Sequence, residues 1–546
     1  MKNTYFLPLG GTGEIGMNLN LYGYGEDSHS ETDWIMVDCG VTFSQAGLPG
    51  VDLQMPDPTF LASQKDNLKG VILTHAHEDH IGAMPFIWPY FNCPIYTTQF
   101  TASLLIEKFE EHNIDYDGKI NILKEGDVIN IASFEIKAIG LTHSIPEMNA
   151  LLIKSPSANI FHTGDWKIDH NPVVGNGFNS KGLLGFDDLR IDALVCDSTN
   201  AIVPGRSGSE LDVKDSLDKI IGGIEGRIFL STFASNVARL YSVAETAEKH
   251  DRHVVLSGRG MHRIVNAAKA VGILDGLPEF VDEEDAGYLP AEKTLILCTG
   301  SQGEHRAALS KIANDRHQHL VAEKGDTVIF SSKVIPGNEA GILNLQNNFA
   351  KKGVNIITGK DEFVHVSGHP CEDELIEMFN LIKPKAVIPV HGEFRHLTAN
   401  AALAEANGIK NSLVIENGTI IKISDKGVSV DSEVSSGRLH KDGKIIVYDY
   451  ESPSIERSKI SHTGLIVVSV VMVNNKVKGK PVVKTFGLPE FDKEGISLID
   501  WVNQALSNVF GSKNKGGNLE SKIRNSVVRQ IKGVWGKRPK VEIIFH

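Results

Sequence analysis

The sequence predicts a layered α/β protein whose short apolar strands end, at one rim, on acids and histidines. Three observations carry that expectation. An apolar run stopping on Asp or His recurs along the chain. Strands alternate with helical periodicity over residues 208–364. The stretch 462–546 offers three strands and two helices of a small α+β domain.

The chain's 546 residues exceed one ordinary core and, at about 150 residues per domain, suggest three or four units. A hydrophobic fraction of 41% and a charged fraction of 23% are those of a globular protein, and no apolar run reaches the roughly 18 residues of a membrane span. The N-terminal stretch lacks the apolar core of a signal peptide, and Cys39, Cys93, Cys196, Cys298 and Cys371 are scattered without a C-x-x-C pair. Reduced core thiols and a cytoplasmic location are expected. A net charge of −13 excludes a surface uniformly coated for nucleic acid, while leaving a local groove open.

In chain order, Gly11, Gly13 and Gly16 fall in a G-x-G-x-x-G pattern beginning at Gly11, with Asp38 downstream. A dinucleotide fingerprint must open a helix, whereas residues 17–24 alternate in steps of two and predict a strand, so a glycine-rich hairpin is expected. Trp34 to Val37 then run into Asp38. The densest cluster follows: Val71, Ile72 and Leu73 lead to His75, His77, Asp79 and His80, three imidazoles and a carboxylate within six residues. Imidazole nitrogen and carboxylate oxygen suit zinc and similar divalent ions, and the His75-x-His77 spacing lets side chains of an extended loop converge.

The same pattern recurs at His143 after residues 138–141, at Asp165 after 159–161, at Asp197 after 193–196 and at His391 after 386–390. Each has an ordinary explanation as a turn or loop residue. Together they supply the donors of a two-metal centre. Residues 208–364 read as an inserted parallel α/β unit, and 436–461 as a polar, broken linker. Residues 511–517 read as a flexible loop. Between Lys513 and Lys540 nine Lys and Arg residues face one acid, Glu520: a solvated helix face, or a surface for RNA or another subunit.

The order H-x-H-x-D-H (His75 to His80), His143, Asp165, His391 resembles that of the metallo-β-lactamase superfamily. Asp197-Ser198-Thr199, Ser331-Ser332 with Ile335 to Glu339, and His365-Val366-Ser367-Gly368-His369 resemble motifs of its β-CASP nucleic-acid-processing branch. Gly10-Gly11 with Glu14 to Asn18, Thr232 to Asn236, Thr299 to Glu304 and the C-terminal appendage are similar to bacterial ribonuclease J. Ala76 and Ala83 stand where glycine is common in that family, and Lys333 where a small polar residue is expected.

The resemblance implies a metallo-β-lactamase αββα sandwich (residues 1–207 and 365–435), a β-CASP insert (208–364) and a C-terminal α+β domain (462–546). It implies two divalent ions, zinc or manganese, one held by His75, His77 and His143, the other by Asp79, His80 and His391, with Asp165 bridging and a shared hydroxide attacking a phosphodiester. Asp38 and Asp197 would orient ligand imidazoles from behind. Asp79, Asp165 and His369 are the catalytic candidates, His369 as proton donor or phosphate holder. Ser235, Asn236, Ser331, Ser332, His365, Val366, Ser367, Gly368 and His369 would contact substrate. The implied activity is 5′-to-3′ exonuclease and endonuclease action on single-stranded RNA with a 5′-monophosphate, in RNA maturation and decay. The implied assembly is a homo-oligomer formed through the C-terminal domain, working with RNA-degradation machinery. The competing readings are a thioester or lactone hydrolase, which needs neither insert nor appendage, and a non-catalytic RNA-binding subunit, which needs no complete ligand set.

Overall fold

The computed structural model describes residues 2–29, 32–43, 48–179, 183, 189–474, 476–511 and 518–546. Two compact units emerge, Met1–Thr42 with Gln54–Arg438, and Phe43–Leu53 with Leu439–His546.

Two stacked sheets organise the first unit. One orders its strands Gly427–Glu433, Thr419–Ser424, Asn3–Gly10, Leu19–Gly25, Thr32–Val37, Leu68–Ile72, Ile95–Thr97 and Ile120–Ile122. The other orders Asn411–Ser412, Ala386–Val390, Ala193–Asp197, Asn159–His162, Asn149–Lys154, Phe134–Gly140 and Val128–Ile131. Alternating side chains make the dry layer between them: Phe6, Tyr22, Ile35, Val37 and Ile72 meet Ile136, Leu151, Ile160, Val195 and Ile388. The opposite face of the second sheet, through Leu152, Phe161, Leu194 and Val387, packs on Leu375, Met378 and Phe379 of helix Glu372–Ile382. Asn3–Gly10 and Leu19–Gly25 pair antiparallel, so the glycine-rich stretch is a hairpin connection and opens no helix.

Strand direction explains why polar groups collect at one rim. Thr32–Val37 and Leu68–Ile72 are parallel, as are Asn159–His162, Ala193–Asp197 and Ala386–Val390. Phe134–Gly140 is antiparallel to Asn149–Lys154, which is antiparallel to Asn159–His162, so it runs the same way as that last strand. Residues that follow the C-terminal ends of these strands therefore emerge side by side, as in other open α/β sheets.

The insert is a second α/β layer. Six strands, all parallel, follow the order Val281–Asp282, His253–Ser257, Thr294–Cys298, Ile228–Ser231, Thr327–Phe330, Asn355–Ile357. Phe229, Val255, Ile296 and Val328 pack against Leu309, Ile312, Leu345 and Phe349 from the helices that alternate with them.

In the second unit, strands Val482–Phe486, Leu465–Val470 and Lys540–Phe545 form a sheet backed by helices Leu498–Gly511 and Leu519–Trp535. Ile466, Val468, Val502, Leu506, Ile523, Val527 and Ile531 form its core. The stretch 436–461 departs from the expected linker. Arg438–Asp442 and Ile445–Tyr448 pair as an antiparallel hairpin, and helix Ser454–Thr463 begins before the stretch ends. Its strands are short and mix apolar with charged residues, so no period of two stood out. Residues 512–517, most of the expected flexible loop, lie outside the described residues. Several basic side chains here have internal partners: Arg524 pairs with Glu520 at 2.7 Å and Lys540 with Glu542 at 3.1 Å. All five cysteines are free and buried. No helix among the described residues is long and apolar enough to cross a membrane.

Candidate metal centre

The strand ends bring together every expected ligand. Ligand atoms of His75, His77, His143 and Asp165 lie within 4.8 Å of one another, as do those of Asp79, His80, Asp165 and His391. Asp165 belongs to both groups. Its Oδ2 lies 3.1 Å from His80 Nε2, 3.4 Å from His391 Nε2, 3.8 Å from His143 Nε2 and 3.9 Å from His75 Nε2. Asp79 Oδ2 lies 3.7 Å from His391 Nε2. His75 lies in the loop after strand Leu68–Ile72 and His77 is extended, whereas Asp79 and His80 ride on the short helix Glu78–Ile81 that His77 starts.

Hydrogen bonds behind the cluster settle which ring nitrogen faces inward. His80 Nδ1 donates to Asp38 Oδ2 at 2.8 Å. His75 Nδ1 donates to Thr74 Oγ1 at 2.9 Å, and that hydroxyl donates to Asp38 Oδ2 at 2.9 Å. His143 Nδ1 donates to the Gly368 carbonyl at 2.6 Å, and His391 Nδ1 to Asn18 Oδ1 at 3.0 Å. In the neutral rings each Nε2 is thereby the unprotonated nitrogen directed at the cluster, and that of His80 also has the Asn18 amide nitrogen at 3.2 Å. Asp38 and His391 both adopt left-handed backbone, φ 65° and 53°, a conformation that costs a side-chain-bearing residue about 1–3 kcal/mol and that the surrounding hydrogen bonds hold in place. Gly40 permits the close approach this requires, since a Cβ there would stand 1.7 Å from the Asp79 carbonyl oxygen.

These residues fit divalent metal. Burial, then neighbouring imidazoles, pushes His75 and His143 well below the usual imidazole value. Burial also takes His77 to about 4, against the pull of Asp79 and Asp165. Burial opposes the charge of Asp165, yet His391 and His80 hold its carboxyl well below the ordinary range. His80 differs, since against burial Asp165 and then Asp38 raise it well above the usual imidazole value. Neutral imidazoles and an ionised carboxylate are the forms that bind a cation, so binding at His80 displaces a proton. His75 Nε2 and His143 Nε2 face His77 Nδ1 at 3.0 and 3.2 Å, and among the described residues the buried His391 Nε2 has no hydrogen-bond partner. One His77 Nδ1 proton can serve only one of the first two nitrogens, and among the described residues none serves the third, so a cation satisfies what the protein's donors leave open.

Beside the cluster, His369 Nδ1 donates to Asp197 Oδ2 at 2.8 Å. Burial works against its charge, but Asp197 and then Asp165 raise it to about 9. This corrects the expected role of Asp197, which orients His369 and hydrogen-bonds none of the seven ligand candidates; its second oxygen is taken by Thr199. The Ser367–His369 loop is fixed by Asn200, whose Nδ2 donates to Ser367 Oγ at 2.7 Å and to the His369 carbonyl at 3.2 Å.

Two expected substrate contacts are corrected. Asn236 caps helix Val237–Lys249 through the Arg239 amide and donates to Glu210 Oε1 at 3.1 Å. Ser331 is wholly buried, accepts from Arg239 and donates to the Val364 carbonyl at 2.7 Å. Both are committed to holding the insert's entry and exit. Val366 is 4% exposed and offers no surface. Ser235, Ser332 and His365 are half-buried, and burial followed by the charge of Arg239 lowers His365 to about 3. Asn18, Thr74 and Asn200 were given no role from sequence. Asn18 lay inside a quoted glycine-rich motif, and only the fold shows what its amide touches.

Four family models cover most of the chain: the metallo-beta-lactamase superfamily over residues 28–147, the ribonuclease J beta-CASP domain over 225–349, the Zn-dependent metallo-hydrolase RNA specificity domain over 353–414 and the ribonuclease J C-terminal domain over 455–546. Ribonuclease J of Sinorhizobium meliloti is 45% identical over 99% of this chain and 96% of its own. Ribonuclease J 1 of Streptococcus pyogenes is 34% identical over 96% and 93%, and ribonuclease J of Corynebacterium glutamicum 33% over 98% and 74%. A crystal structure of a protein of unknown function from Enterococcus faecalis V583 shares the fold, with a TM-score of 0.53 at 18% identity over 77% of this chain and all of that one. Identity across nearly the whole length, together with domain models for insert and appendage alike, places the chain in the ribonuclease J family, within the β-CASP branch of the metallo-β-lactamase superfamily.

Proposed function

We propose that this metal-dependent ribonuclease degrades single-stranded RNA from a 5′-monophosphate end and also cuts internally, in RNA maturation and decay. The observation that carries the reading is the 2.6 Å hydrogen bond from His143 Nδ1 to the Gly368 carbonyl. It ties a candidate metal ligand directly to the loop suited to hold a phosphate, so a phosphate on that loop lies beside the metal cluster.

His75, His77 and His143 would hold one ion, Asp79, His80 and His391 the other, and Asp165 would serve both. Divalent ions in such a pair acidify water and stabilise charge on both oxygens of a phosphodiester under attack. Zinc suits the imidazole-rich set, and manganese the carboxylates. Asp38 holds His80 and, through Thr74, His75 in the ligating tautomer. His369, protonated and steadied by Asp197, is placed to hold the scissile phosphate or to give a proton to the leaving 3′-oxygen. The free buried thiols suit a reducing compartment such as the cytoplasm. A homo-oligomer through the C-terminal domain, and association with RNA-degradation machinery, belong to the same reading.

The test uses one end-labelled RNA with a 5′-monophosphate, a 5′-triphosphate or a 5′-hydroxyl, and matched DNA, with and without chelator. Mononucleotides should be released from the monophosphorylated RNA, and chelator should stop the reaction. Full RNA cleavage by His77→Ala would sink the two-metal mechanism.

A further inference from the structure

Lys333 departs from the small polar residue expected at its position, and the structure gives that departure a place. Its loop is fixed from beneath by buried Gln302, whose Nε2 donates to the Lys333 carbonyl at 2.9 Å while its Oε1 accepts from the Ile335 amide at 2.9 Å. So held, the exposed Lys333 side chain reaches back to donate from Nζ to Asn200 Oδ1 at 3.3 Å. Among the described residues no carboxylate lies within ion-pair distance of this ammonium.

Asn200 is 3% exposed, and a proton count on it is informative. Both Nδ2 protons are used, on Ser367 Oγ and the His369 carbonyl, which leaves Oδ1 to accept from Lys333. Ser367 Oγ already accepts twice, from Asn200 and from the His369 amide at 3.2 Å. Its own proton is therefore the one it has left to give. Lys333 spends one of three ammonium protons on Asn200. An uncompensated cation and a hydroxyl donor thus converge through one buried amide, beside His369, with no anion of the protein to satisfy them.

We propose that Lys333 is a specificity-determining residue of this chain, pairing with the terminal phosphate of the RNA 5′ end while Ser367 donates to the same group. The proposal rests on the 5′-end reading above. A terminal monophosphate carries about −1.5 to −2 charges, against one on an internal diester, so a lone ammonium here favours the terminal group.

The experiment compares kcat/KM of metal-loaded wild type, Lys333→Met and Lys333→Arg on one RNA bearing either a 5′-monophosphate or a 5′-hydroxyl. The preference for the phosphorylated end should fall by roughly tenfold in Lys333→Met, the scale of one charge-assisted hydrogen bond, mainly through KM, and Lys333→Arg should restore most of it. An undiminished preference in Lys333→Met overturns the assignment while leaving the 5′-end reading intact. Equal losses on both RNAs also overturn it, because they mean contact with an internal phosphate. A wild type without any preference sinks the 5′-end reading and this assignment together.

Discussion

The Arg239 guanidinium lies against the Glu210 carboxylate, Nη2 to Oε2 2.9 Å, with both side chains buried. Glu210 opens the first helix of the insert, and Arg239 also donates to the Val364 carbonyl at 2.8 Å, where the chain leaves it. Nearby, Lys167 donates to the Gly208 carbonyl at 3.0 Å and pairs with Asp169 at 3.2 Å. Entry and exit are thus fastened by charges out of reach of water.

Removing one partner of this pair leaves the other charged and buried. Arg239→Met should destabilise the first unit by about 3–5 kcal/mol, and the double change Arg239→Met with Glu210→Met should recover much of that loss. Urea unfolding of the two variants checks both. A single change as mild as a surface substitution would show that water reaches Glu210.

Acid should loosen the same fastening. Burial works against charge on Glu210 and Asp169, yet Arg239 for the first and Lys167 for both hold each carboxyl below its ordinary value. A carboxyl whose folded pKa is depressed contributes stability above its unfolded value near pH 4, and loses it as pH falls through the folded one. The melting temperature should therefore drop steeply below about pH 4, and the drop should be shallower in Glu210→Gln.

Gly368 lies too close to His143 to carry a side chain, since a Cβ would stand 2.8 Å from Cε1 and 2.9 Å from Nδ1. Gly368→Ala should shift either the imidazole or the loop. RNA cleavage should fall about a hundredfold, with metal content lowered as well. Steady-state kinetics with metal analysis by mass spectrometry decides it, and normal activity in this variant would mean the loop is not held against the ligand.

Asp38 accepts from the Thr74 amide, the Thr74 hydroxyl and His80 Nδ1. Asp38→Asn removes the charge and places an amide where acceptors are needed, so metal affinity should fall about 10- to 100-fold. Chelator competition followed by a chromogenic zinc indicator measures it. Unchanged affinity would remove Asp38 from the centre.

The ligand candidates were legible because each follows an apolar strand, and parallel strands deliver their ends to one rim whatever the intervening sequence. The insert was legible from its alternation of strands and helices. What escaped depends on partners far apart in sequence. Asn236 and Ser331 look like groove residues until Arg239, a charged residue buried among the apolar Val237, Ala238 and Leu240, turns out to bond both. Asp197 looked like a ligand's support because it ends a strand beside the others, yet the loop returning from the insert offers it His369 first. The hairpin at 438–448 escaped because its short strands alternate too little to mark a buried face.

The nitrogens of His75 and His143 that face His77 have a consequence for the life of the protein in the cell. Folding collects imidazole lone pairs that a single His77 proton can serve only one at a time until an ion arrives, while an unfolded chain leaves each to water. Ion occupancy and folding are therefore linked by mass action. When metal is scarce, the expected loss is of the chain itself, cleared by proteolysis in its empty form, so that the abundance of this protein follows metal supply alongside its turnover rate.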